Sequence, residues 1–119
     1  MSSEESTETG PRVEYTSEFK RNVRQLAKKY RLIKSDVGPV IETLQSGETP
    51  GDEISRSGAG LRVFRVRIRN SDSQRGKSGG YRMIYWARES RVVLITIYSK
   101  AEQGNVSASQ IRRIIAESS

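Results

Sequence analysis

Three arginines at alternate positions, Arg65, Arg67 and Arg69, stand in the stretch L-R-V-F-R-V-R-I-R. They are the residues of this chain best suited to chemistry on an anion. In a strand, side chains two apart point the same way and repeat every ~6.6–6.8 Å. That repeat is comparable to the phosphate spacing of an extended single-stranded nucleic acid. The segment R-G-K-S-G-G-Y-R follows, in which Arg75, Lys77 and Arg82 add charge and Tyr81 can stack on a base. Its glycines let the backbone approach a ligand. The G-K-S within it is not a phosphate-binding P-loop, because Ser71 occupies the place of the first required glycine and no helical pattern follows. One strand further on, Tyr98 and Lys100 complete the candidate set. The plainer readings are a solvated basic surface, a hairpin loop with exposed charges, a strand-end lysine and a core-rim tyrosine.

The charge distribution favours an anion partner. Residues 61–100 hold ten Lys and Arg against Asp72 and Glu89, a net of +8, whereas the remaining residues sum to −1. A clustered basic face attracts phosphates and releases their counterions. Asp72 and Glu89 both fall at expected turns, so an internal ion-pair ladder is hard to assemble around the arginine strand. No cysteine and no histidine occurs among the 119 residues, which excludes disulfides, thiol nucleophiles, Cys/His zinc sites and imidazole triads. No cofactor is expected. No apolar run is long enough for a membrane span, and M-S-S-E-E-S-T-E-T-G lacks the pattern of a secretory signal. A cytoplasmic protein with no membrane partner is the expectation.

The elements that must position these residues are legible as changes of period. Residues 1–10 read as a disordered acidic tail, and 11–119 as a single domain. R-V-E-Y-T suggests a first strand. Ser17 is the expected N-cap of a helix whose buried face is Phe19, Val23, Leu26 and Tyr30. A second helix is expected after Ser35 and Asp36, with Val37, Val40, Ile41 and Leu44 inward and Pro39 in its first turn. Residues 47–60 read as a loop. Leu61 to Arg69, Tyr81 to Trp86 and Val92 to Tyr98 read as three antiparallel strands, with a tight turn over Arg88 to Ser90. A last helix opens on the capping box of Ser107 and Gln110. The fold class is α+β: an N-terminal helical hairpin packed on a small, mostly antiparallel twisted sheet, with a C-terminal helix and the helices on one sheet face.

The order of helical hairpin, V-F-R-V-R-I-R, R-G-K-S-G-G-Y-R-M-I-Y, I-T-I-Y-S-K and terminal helix resembles the RelE/ParE superfamily of bacterial type II toxins, in its RelE/HigB-like branch. The resemblance covers roughly residues 12–117. It implies a toxin of a toxin–antitoxin system, an endoribonuclease that cuts mRNA in the ribosomal A site without metal. The cut proceeds by attack of the RNA 2′-hydroxyl on the adjacent phosphate. Implied partners are the ribosome, mRNA and a cognate antitoxin protein. Carried over by position, Arg65, Arg67 and Arg82 are the catalytic basic residues; Lys100 is added to them on its own chemistry, as a source of cationic or acid help. Arg69, Arg75, Lys77, Tyr81 and Tyr98 are the RNA-binding set. Arginine hardly ever loses its proton, so these arginines suit clamping a phosphate better than moving protons. Glu102, Tyr98 and Lys77 are the candidate proton carriers. Where the best-studied branch has a further arginine and a base-stacking tyrosine, this chain has Ala101 and Val106, and neither role transfers. A ParE-like inhibitor of DNA gyrase and a non-catalytic RNA-binding module are the alternatives.

Overall fold

A computed structural model describes residues 10–54, 62–72 and 80–118. The expectations for the acidic tail, for Leu61 and for Arg75 and Lys77 fall outside the described residues, apart from Gly10. The chain forms β1 (Arg12–Tyr15), α1 (Ser17–Ala27), α2 (Ile33–Gln45), β2 (Asp52–Glu53), β3 (Val63–Ile68), β4 (Tyr81–Ala87), β5 (Arg91–Ser99) and α3 (Ala108–Ser118). The fold is thus α+β, three helices on one five-stranded mixed sheet of order β1-β5-β4-β3-β2. β1 runs parallel to β5, and the other pairings are antiparallel.

Alternation along β3, β4 and β5 sorts side chains onto two faces. Phe64, Val66, Ile68, Tyr81, Met83, Tyr85 and Leu94 meet Phe19 of α1 and Ile33, Val37 and Leu44 of α2. Val63, Ile84, Ile95 and Tyr98 on the opposite face meet Ile111 and Ile114 of α3, with Trp86 at the margin. The helices therefore lie on both faces of the sheet and not on one as expected. The physical reason is in β4: Ile84 and Trp86, on the face away from α1 and α2, are too apolar to be left in water.

Local chemistry corrects four further expectations. The N-cap of α1 is Thr16, whose Oγ1 accepts from the Phe19 N–H at 2.9 Å and donates to the Ile95 carbonyl at 2.7 Å. Ser17 is already the first helical residue. α2 begins two residues before Ser35, because Asp72 Oδ2 accepts the Leu32 N–H at 2.7 Å and caps the helix from the end of β3. Asp36 is no cap; its carboxylate accepts from the Ser71 N–H at 2.9 Å. Pro39 consequently sits mid-helix and not in the first turn. It is exposed, so water can serve the carbonyl left without its helical donor. Within the expected loop after Gly47, Asp52 and Glu53 form the short edge strand β2 beside Arg65 and Phe64. The capping box of α3 forms as read, with Ser107 and Gln110 exchanging bonds at 3.2 and 3.3 Å.

Candidate functional site

β3 ends, β4 begins and β5 ends at the same margin of the sheet, and this brings the basic residues together. Arg67 is the direct cross-strand partner of Arg82, and Arg82 of Tyr98. Arg65 is one step up the same face, opposite Ile84. The three arginines and Tyr98 thus share the α3 face, and α3 covers its apolar half. Directly opposed residues have Cβ atoms ~4.5–5.5 Å apart, and like charges so placed repel. Arg65 and Arg82 are half-buried, and Arg67 is exposed, as is Arg69 just past the strand.

Neutralising acids are the obvious fate of such a cluster, and all of those nearby but Asp52 are engaged elsewhere or distant. Asp72 caps α2 and Asp36 holds Ser71. Glu53 pairs with Arg62 at 3.7 Å. Asp52 is the register partner of Arg65 on β2 but forms no ion pair. Glu89 lies in the turn between β4 and β5, at the far end of the sheet. Among the described residues, Arg65, Arg67, Arg69, Arg82 and Lys100 form no salt bridge. The Arg82 guanidinium has one hydrogen bond, donated to the Tyr81 carbonyl at 3.3 Å.

Lys100 is exposed, and its backbone N–H donates to the Gly80 carbonyl at 3.0 Å, extending the β4–β5 ladder one step. Gly80 has φ +93°, and a Cβ there would lie 2.9 Å from the Ile68 carbonyl oxygen. Only glycine turns the chain into β4 so close to the end of β3.

The two tyrosines differ from their expected role. Tyr81 is wholly buried on the opposite face, edge-on to Tyr30 with ring centroids 5.8 Å apart. Burial raises its hydroxyl well above the ordinary tyrosine range. The signal was available: adjacent residues of a strand cannot share a face, so Arg82 on the basic side puts Tyr81 on the other. Tyr98 lies on the expected face but is 4% exposed beneath α3, and its hydroxyl has no hydrogen-bond partner.

Glu102 accepts from Lys29 Nζ at 2.6 Å and from the Tyr30 hydroxyl at 3.0 Å. The bond from Lys29 holds its carboxyl below the usual range, and the same bond raises Lys29. Glu102 is therefore an ionised acceptor, tied to the connection between α1 and α2. A cleft of about 280 Å³ lies beside it, between α1 and the end of β5, lined by Asn22, Lys29, Tyr98 and Gln103 among others. Asn22 is a residue that sequence reasoning missed. Its Oδ1 accepts from Thr96 Oγ1 at 2.8 Å and the Ile97 N–H at 3.3 Å, fixing β5 where β1 no longer flanks it. No local periodicity announces a bond across so many intervening residues.

No helix among the described residues is long and apolar enough to cross a membrane. Compared with known families and with curated proteins, the chain matches no family model and no curated protein.

Proposed function

We propose that this protein is a RelE/HigB-like toxin of a type II toxin–antitoxin system, acting in the cytoplasm as a ribosome-dependent, metal-independent mRNA endoribonuclease. The observation that carries the reading is the arginine row: Arg67 directly opposite Arg82, Arg65 beside them, and, among the described residues, no ion pair on any of the three, although Asp52 stands opposite Arg65. Opposed like charges cost stability. An external anion removes that cost, and a phosphodiester fits its spacing and sign. The succession of strand, two helices, basic strand, two further strands and closing helix supports a RelE-like fold in which the first two helices form the hairpin.

In the reaction, the RNA 2′-oxygen forms a bond to the adjacent phosphorus and the bond to the 5′-oxygen breaks. The product is a 2′,3′-cyclic phosphate, and the leaving oxygen takes a proton. Arg67 and Arg82 hold the phosphate oxygens and stabilise the charge that grows on them. Lys100, at the end of the same ladder, donates to the leaving oxygen. The 2′-hydroxyl proton passes to a base for which Glu102, Tyr98 and Lys77 are the candidates, and of these Glu102 is ionised but already bonded to Lys29 and Tyr30. A partner antitoxin neutralises the toxin by covering the arginine row.

Purified full-length protein is incubated with programmed ribosomes and the cut positions are mapped. The wild type cleaves in the A site, and Arg82→Ala lowers the rate by about 10²-fold or more with its fold intact. Cleavage by Arg82→Ala at the wild-type rate would refute this reading. A non-catalytic RNA-binding module is the second reading, favoured by the engagement of Glu102 with Lys29 and Tyr30. It predicts ribosome binding that Arg82→Ala weakens, with no cut product from either protein.

A further inference from the structure

The aromatic residues of this chain can all be accounted for, and none offers a ring to the arginine row. All eight lie among the described residues. Phe19, Phe64, Tyr81, Tyr85 and Tyr98 are buried. Phe64 and Tyr85 stack on each other within the core. Tyr30 is edge-on to Tyr81 with its hydroxyl on Glu102. Trp86 is half-buried on the face of the row, one step beyond Ile84, and its ring carries the Arg88 guanidinium 4.4 Å from the centroid. Tyr15, the one exposed aromatic, sits on β1 at the opposite edge of the sheet and tilts against Phe19.

Single strands are normally gripped by two kinds of contact: cations on phosphates, and aromatic faces on bases. Here the first is present, and no unoccupied ring stands beside Arg67 and Arg82. Phosphate contacts fix register and carry no sequence information of their own. We infer that the arginine row binds single-stranded RNA through its phosphate backbone alone, so that intrinsic affinity is independent of base identity. This rests on the assignment of the row as an RNA site under the proposed function. It adds that any choice of cut position comes from whatever presents the RNA, and not from a base pocket of this chain.

Fluorescence anisotropy with short homopolymers of U, A and C, and with a mixed strand containing G, tests this on the full chain. The affinities are expected to agree within about threefold at one salt concentration. Arg67→Ala is expected to weaken all of them by a common factor. A preference of about tenfold or more for one base, the size that a stacked or edge-read base produces, overturns the inference. So does an Arg67→Ala effect confined to one strand, since it would show a guanidinium reading guanine. The two proposals fail separately: base-selective binding with cleavage on ribosomes refutes only this one, and base-blind binding without cleavage refutes only the nuclease.

Discussion

Arg67 and Arg82 face each other across a strand pair with no acid between them, and the sign of their effect on stability follows. Replacing Arg65 and Arg67 together by leucine removes like-charge repulsion. The melting temperature of this double variant should equal or exceed that of the wild type, while ribosome-dependent cleavage and growth arrest disappear. A clear fall in melting temperature would mean that the arginines are structural. Glu102 gives a second test at this scale. Its carboxyl is held below the usual range, so its contribution is present above the ordinary glutamate pKa and fades as pH falls through and below that range. Glu102→Gln should therefore cost more stability at neutral pH than at about pH 4. The difference in melting temperature between wild type and variant, measured at both pH values, reads this directly. The pair is exposed, and the effect should be small and shrink with added salt.

At the scale of elements, Thr16 ties α1 to the sheet with two bonds from one hydroxyl. Thr16→Ala leaves the Phe19 N–H and the buried Ile95 carbonyl without that partner, at a cost of about 1–3 kcal/mol. Urea denaturation should show the loss as a lower midpoint at an unchanged slope. Elements built on local period were the ones legible in the sequence. Phe64 to Arg69 alternates strictly, and β3 forms over it as Val63–Ile68. Ser107 and Gln110 mark the start of α3 within one turn of chain. What was not legible depended on distant partners. Asp36 has the composition of a cap, yet Asp72, far along the chain, caps α2 and moves its start to Ile33. β2 is too short to show any period. Of the candidate site, the convergence of Arg65, Arg67 and Arg82 was legible because alternation fixes faces. The burial of Tyr98 was not, because it depends on where α3 docks.

At the scale of the whole molecule, charge is separated along the sheet. The basic margin gathers the ends of β3 and β5 and the start of β4, while the acids nearby are spent on capping and tethering. Binding to ribosomes should therefore weaken steeply with salt, the logarithm of affinity falling linearly with that of salt concentration. Sedimentation at graded potassium concentrations measures the slope, and Arg67→Ala should lower it by about one. Salt-independent association would contradict a phosphate-driven contact.

The outer flank of β5 has one more consequence. β1 pairs only with Arg91 to Leu94, so the strand V-V-L-I-T-I-Y continues past its neighbour with main-chain groups turned outward. Such a strip is what a second copy of a protein uses as a template for edge-to-edge polymerisation. The Thr16 hydroxyl and the Asn22 amide occupy those groups at Ile95 and Ile97. The two side chains that seat the first helix thereby also keep this apolar strand from recruiting its own kind.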